Sequence, residues 1–169
     1  MSSDRVNPKT LSSPQLMRLS RMAIVELRNR DAVRTMNSPL GDWAELLAAI
    51  AFDGARAHIS QKSWDVTTHD NRLLQVKARA SAKATHYGFF RSWDFDAAVF
   101  MLFDPADLTV LEAKEVSSTT AKAAAAWVKH VNGWRLTTTQ VRTLEGTDVL
   151  GLIQRAELEV DSYLADRSA

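Results

Sequence analysis

Three polar residues near the middle of the chain have the types and the spacing to do chemistry together. Asp65 lies in the segment SWDV, and ten residues later the segment LLQVKAR contributes Gln75 and Lys77. If the two segments are neighbouring strands, an acid on one and a polar pair at positions i and i+2 on the other can meet on one face. A buried charge is costly unless it is paired or bound to a metal. Because apolar residues flank Gln75 and Lys77, we treat the trio as a candidate site.

Oxygen donors dominate this trio, and oxygen ligands select a hard cation such as Mg²⁺, with Mn²⁺ as a second candidate. Asp65 offers a carboxylate, Gln75 an amide oxygen and Val76 its backbone carbonyl. Lys77 could then orient or deprotonate a water molecule, or stabilise charge developing on a phosphate. The simpler alternative is that Asp65 and Lys77 form an ordinary cross-strand ion pair.

The same residues resemble a known motif. The pattern of an acid, nine intervening residues and Gln-Val-Lys resembles the PD-(D/E)XK nuclease superfamily, which has the restriction-endonuclease-like fold. The upstream segment GDWAELLAA resembles the first core helix of that superfamily, whose Glu joins the active site. Residues 26–103 further resemble an uncharacterised bacterial branch of the superfamily.

This resemblance implies magnesium-dependent hydrolysis of DNA phosphodiesters. It assigns catalytic roles to Glu45, Asp65, Gln75 and Lys77, and metal ligation to Asp65, Gln75, the Val76 carbonyl and Glu45. Two positions depart from the usual pattern. Trp64 replaces the proline before the first acid, and Gln75 stands where Asp or Glu is usual, which removes one negative charge from the metal site. The alternatives are therefore a nuclease fold kept as an inactive DNA-binding or assembly subunit, and a module that binds another protein.

The distribution of charge could frame a site for a polyanion, although charge alone favours an ordinary solvated surface. Residues 1–40 carry a net charge of +4, residues 41–54 carry −3 and residues 55–91 carry +5, so two basic blocks frame an acidic one. A solvated surface would also show such fluctuations. The candidate DNA-contacting residues are Arg18, Arg21, Arg28, Arg34, Arg79, Lys83 and Arg91. Phe89, Phe90 and Trp93 lie in the same basic loop, where core packing is favoured over base stacking.

The periodicity of the chain predicts the elements that would position these residues. Residues 1–14 are predicted to be a flexible arm, and residues 15–169 a single domain. A helix should begin near Ser13 and Pro14, with an apolar face that docks on the domain and an outward arginine face (Arg18, Arg21 and Arg28). A second helix spans SPLGDWAELLAAIAFDG, and residues 63–68 and 72–79 form a hairpin. The apolar run DFDAAVFMLFD predicts a buried strand and LTVLEA another.

The remaining segments complete the predicted fold. KEVSSTTAKAAAAWVKH should be helical, VNGWRLTTTQVRTL extended, and a last helix should run from Val149 to Leu164. We therefore expect an α/β fold with a restriction-endonuclease-like core, a mixed sheet of four to five strands flanked by helices, and an extra N-terminal helix.

Composition excludes several classes of protein. The absence of cysteine excludes a disulfide scaffold, a thiolate zinc site and a cysteine nucleophile. No apolar run approaches the ~20 residues that a membrane helix needs, and the polar start lacks a signal-peptide core. From these features we expect a cytoplasmic protein that does not enter the membrane. The resemblance implies DNA as the partner, and we leave a homodimer open.

Overall fold

The computed structural model describes residues 6–36, 38–58, 60–61 and 63–168 of the 169-residue chain. Residues 1–5 of the predicted N-terminal arm lie outside this range. The strands, in chain order, are β1 (Gly54–Arg56), β2 (Val66–Thr68), β3 (Leu73–Ala80), β4 (Ala97–Phe103), β5 (Val110–Ser117), β6 (Ala126–Val128), β7 (Gly133–Arg135) and β8 (Thr147–Asp148). The α-helices are α1 (Ser13–Asn29), α2 (Leu40–Ala51), α3 (Ser118–Ala124), α4 (Thr138–Thr143) and α5 (Leu150–Ser168). Short 3₁₀ turns occupy Pro8–Thr10 and Lys129–Val131.

A mixed six-stranded sheet forms the centre of the fold, in the order β1-β2-β3-β4-β5-β8. Strands β3 and β4 are parallel, and the other neighbours are antiparallel. The expected α/β class, with a mixed sheet flanked by helices, is confirmed. The expected four to five strands become six, because two- and three-residue edge strands leave too little alternation to read from the sequence.

Both faces of the sheet are covered, which explains why all seven residues of β4 are buried. On the first face, Val99 and Met101 belong to a hydrophobic core with α2 and α5. On the second face, Ala98 and Phe100 belong to an aromatic-rich cluster. Helices α3 and α4 contribute Ala121 and Val141 to that second cluster. Consecutive residues of a strand therefore serve different cores.

Helix α1 corrects one prediction. It begins at Ser13 as expected, but the N-cap is Ser12, whose N–H donates to the Gln15 side chain at 2.8 Å. No residue of α1 is buried, and Leu16 and Ala23 of the predicted docking face are exposed. Of that face, Leu27 packs against the first core. The helix therefore contacts the body near its C-terminal end, and its earlier apolar residues lie outside the core.

The alanine-rich region corrects a second prediction. The helix expected over KEVSSTTAKAAAAWVKH is confined to α3. Upstream, β5 continues to Ser117 because Val116 is buried opposite Ala98 of β4. Downstream, Trp127 pairs with Trp134 in the β6–β7 hairpin. Within the segment expected to be extended, residues 138–143 form α4, because Thr137 and Gln140 make reciprocal cap hydrogen bonds.

Across the part of the chain that the structure describes, none of the helices combines the length and the apolar character needed to cross a membrane.

Candidate active site

The junction between β2 and β3 positions the first acid. The two strands pair only through Val66–Leu74 and Thr67–Leu73, and the Asp65 N–H adds a hydrogen bond of 2.8 Å to the Leu74 carbonyl. Just beyond this pairing, the Val76 N–H donates to the Asp65 carboxylate at 2.7 Å. The acid is thus held where the two strands separate.

Gln75 and Lys77 lie on the face of β3 that the alternation predicts, opposite Leu74, Val76 and Ala78, which pack in the first core. The buried Gln75 amide nitrogen donates to the Asp65 carboxylate in a close contact. This bond fixes the amide beside the acid, so Asp65 and Gln75 of the predicted trio meet as the strand parity requires, and Lys77 follows two residues later on the same face of β3.

Lys77 is partly buried, and its ammonium lies 4.9 Å from the ring centroid of Phe90. Burial lowers the pKa of Lys77, whereas the negative charges of Asp65 and Glu45 act to raise it. A lysine in this environment releases its proton more readily than an exposed one. Phe90 itself is buried, so core packing is the observed role of this loop residue.

Helix α2 supplies the second acid, and Arg34 contacts it directly. The Arg34 guanidinium donates to the Glu45 carboxylate and, at 2.6 Å, to the Ala57 carbonyl. Asp42, one turn before Glu45 on α2, accepts the backbone N–H groups of Arg34 and Thr35 at 2.9 and 2.8 Å. The segment before α2 is therefore fastened to that helix, with its arginine aimed at the site.

The negative charge of Asp65 repels that of Glu45, and both acids are removed from water. Burial raises the pKa of Glu45 from 4.5 to about 7, the charge of Asp65 adds to the rise, and Arg34 only partly offsets it. Burial also raises the pKa of Asp65, against the opposing effects of Lys77, Val76 and Gln75. Both carboxylates border a cavity of about 210 Å³. Burial is the main cause of both raised pKa values, so each acid holds a proton more readily in this pocket than it would in water.

The oxygen atoms of these residues are the kind of ligand that a hard divalent cation prefers, but their total negative charge is small. Glu45, Asp65 and Gln75 supply oxygen donors, and a cation would relieve the repulsion between the two acids. No group of three or more His, Asp or Glu side chains that could hold a metal ion occurs among the described residues. Of the three oxygen-donating side chains, Glu45 and Asp65 can be anionic, whereas the amide of Gln75 is neutral. We therefore expect weak binding of Mg²⁺ or Mn²⁺.

The predicted DNA-contacting residues fall into two groups. Those of the arginine face, together with Arg79, Lys83 and Arg91, are exposed. The Arg91 guanidinium donates to the Val131 carbonyl and, at 2.8 Å, to the Asn132 carbonyl, so it also ties two loops together. Arg34 is different, because it lies in the pocket against Glu45 and not on an outer surface.

The sequence analysis assigns Arg34 to DNA contact and not to the pocket of the two acids, and it gives Asp42 no role in the site. A signal was present, since Asp42 and Glu45 are spaced for one helical face and Arg34 is the last cation before them. The hydrogen bonds that bring the segment onto α2 are not encoded in any periodicity.

Comparisons with known proteins add no assignment. No protein-family model matches this chain, and no curated protein shows significant similarity to it.

Proposed function

We propose that this chain is a metal-dependent deoxyribonuclease, with a restriction-endonuclease-like core formed by α2 and the sheet. The observation that supports it is the convergence of Asp65, Gln75 and Lys77 at the β2–β3 junction, with Glu45 beside them on α2. A plain Asp65–Lys77 ion pair would explain neither the buried amide between them nor the second acid.

Each residue has a distinct task in the proposed reaction. Asp65, Glu45, Gln75 and the Val76 carbonyl would hold Mg²⁺, and the Val76 N–H keeps the Asp65 carboxylate in place. A bound divalent ion polarises the scissile phosphate and lowers the pKa of a water molecule. Arg34 holds the Glu45 carboxylate in the pocket.

Lys77 handles the attacking water. As hydrolysis proceeds, the water oxygen bonds to phosphorus, the P–O ester bond breaks and the leaving oxygen takes up a proton. With its lowered pKa, the Lys77 amine can accept the proton of the water, and as an ammonium it can stabilise charge on the phosphate.

Plasmid cleavage in Mg²⁺ or Mn²⁺ tests the proposal. Lys77→Ala and Asp65→Ala should lower the cleavage rate by about 10²-fold or more. DNA binding measured in EDTA should change little, because one side chain is a small part of a phosphate interface. Lys9→Ala, which removes an exposed lysine on the 3₁₀ turn before α1, is the matched control. Wild-type cleavage rates in the Lys77 or Asp65 variant would contradict the assignment.

The second candidate function is a nuclease fold that binds DNA without cutting it. It is favoured by the partners of the two acids, since Glu45 is paired with Arg34 and Asp65 accepts from the Gln75 amide. This candidate predicts DNA binding with no cleavage in either metal, so the same assay separates the two functions.

A further inference from the structure

Trp127 is a large aromatic residue left half in solvent. It lies on β6, and 49% of its surface is exposed. Its cross-strand neighbour Trp134 holds it edge to face, with 4.6 Å between ring centroids. The indole is therefore fixed on one side and open on the other. A rigid, half-open aromatic ring is suited to stacking against another flat group.

A chain of ring contacts connects Trp127 to the candidate active site. Trp134 lies 5.8 Å from Trp93, and Trp93 stacks on Phe90 at 4.7 Å. The Phe90 ring in turn faces the Lys77 ammonium. Backbone hydrogen bonds of 2.8 and 3.0 Å between Phe90 and Trp134 lock the hairpin to the loop beside the site. Trp127 is thus joined to the surroundings of Lys77 through a continuous set of packed rings.

The two chain segments that carry Trp127 and Lys77 have charge of one sign. Residues 116–144 and residues 77–93 contain no Asp or Glu, although both segments contain lysine and arginine. Lys122, Lys129 and Arg135 are exposed around the hairpin, and none of them forms a salt bridge with a described residue. Arg91 fastens the two acid-free segments to each other. We call Trp127 with Lys122, Lys129 and Arg135 the hairpin surface.

A polyanion that carries flat groups complements the hairpin surface. Proteins that bind single-stranded nucleic acid combine cations along the backbone with aromatic rings under the bases. The interior of a duplex offers no free base face, whereas an unpaired base does. Binding of an apolar protein partner would not require chain segments without acidic residues. The positive charge of these segments therefore favours a nucleic acid as the partner.

We propose that Trp127 stacks on an unpaired base of a DNA strand whose phosphates contact the cations of the hairpin surface. A neighbouring phosphodiester of that strand would then lie at Lys77. Only this last step depends on the nuclease proposal. The substrate would then be single-stranded DNA, or DNA with unpaired bases near the cut.

Fluorescence anisotropy of a labelled oligothymidine, measured in EDTA, tests the stacking without requiring cleavage. Trp127→Leu should weaken binding by about 5- to 150-fold, the range expected for one base–aromatic stack. Trp127→Phe, which keeps an aromatic face, should retain most of the affinity. Leucine preserves an apolar contact with Trp134, so the Leu–Phe comparison separates stacking from stability of the hairpin.

Leu158→Ala is the matched control, because Leu158 is an apolar residue on α5 with 86% of its surface exposed. Its affinity should equal that of the wild type. A fully paired duplex should bind the wild type and Trp127→Leu equally. The proposal is overturned if Trp127→Leu binds oligothymidine as tightly as Trp127→Phe, or if duplex binding falls by the same factor.

The outcome is independent of the nuclease test. Trp127-dependent binding by a protein that cuts no DNA would support the stacking proposal and contradict the nuclease. Cleavage of single strands that is unaffected by Trp127→Leu would do the reverse.

Discussion

Replacing Gln75 by Glu tests the chemistry of the site through stability as well as activity. In the wild type, the Gln75 amide donates to the Asp65 carboxylate inside the protein. Gln75→Glu removes that donor and places a second carboxylate against the first. Losing a hydrogen bond to a charged group costs about 1.5–3 kcal/mol, and two like charges 4 Å apart repel by about 4 kcal/mol at an effective dielectric constant of 20.

Proton uptake limits the total cost, because one of the two carboxyls can remain neutral. We expect the metal-free variant to lose about 2–4 kcal/mol of unfolding free energy at mildly alkaline pH. For a chain of this length, 1 kcal/mol corresponds to a Tm shift of about 2–4 °C, so Tm should fall by ~4–16 °C.

Magnesium should reverse this loss. The variant has three carboxylates where the wild type has two, so Mg²⁺ should stabilise it more and half-maximal cleavage should need less metal. At 100 times Kd, a ligand adds about 2.7 kcal/mol of stability. Thermal unfolding in EDTA and in Mg²⁺ measures both effects, with cleavage titrated against Mg²⁺ in parallel.

Gln154→Glu is the control, since it makes the same change of charge at an exposed position on α5, where the amide donates a long hydrogen bond of 3.5 Å to the Val110 carbonyl. It should leave Tm and its Mg²⁺ dependence unchanged. Equal Mg²⁺ increments in the Gln75 variant and the wild type would show that Gln75 is not a ligand. Equal Tm values in EDTA would refute the assigned contact with Asp65.

Three further perturbations follow from the structure. Because folding raises the pKa of Glu45 from 4.5 to about 7, the folded state binds more protons than the unfolded chain, and stability should fall as pH rises through this window. Glu45→Gln should remove about 3 kcal/mol of that pH dependence. Urea unfolding at several pH values would show a flatter profile of unfolding free energy against pH, and an unchanged profile would contradict the assigned pKa. Replacing the arginine face with alanine should reduce the slope of log affinity against log salt by ~2–3 units if these residues contact phosphates, whereas a merely solvated face leaves the slope unchanged. Gly54→Ala should destabilise by about 1–3 kcal/mol, because a Cβ there would lie 2.6 Å from the Thr67 carbonyl. Gly41→Ala in α2 has open space, so urea unfolding should find it neutral or more stable by up to about 1 kcal/mol.

The parts of the fold that the sequence predicted are those with strong local patterns. Helix α2 has helical spacing of apolar residues, β3 alternates, and β4 is a continuous apolar run. These patterns also fix which face each residue occupies, so the convergence of Asp65, Gln75 and Lys77 could be predicted from parity alone.

The parts that were missed depend on distant partners. The alanines after Ser117 favour helix, but β4 extends β5 up to that residue, and the Trp127–Trp134 pair turns the next residues into a hairpin. Likewise, Arg34, in the link between α1 and α2, is grouped with the α1 arginines as a predicted DNA contact, and no periodicity in the sequence indicates its contact with Glu45. Its contact with Glu45 depends on how the link packs against α2.

The order in which the molecule assembles follows from where its site residues lie along the chain. Every group of the candidate site comes from residues 34–77. By contrast, a ring contact and two isolated β-bridges join residues 86–93 to residues 134–137. Shorter loops close at a lower entropic cost and local contacts form faster. We therefore expect the acids and the lysine to meet first, and the hairpin to arrive last. During synthesis, the segment that carries the chemistry leaves the ribosome before the surface proposed to hold the DNA strand has been made.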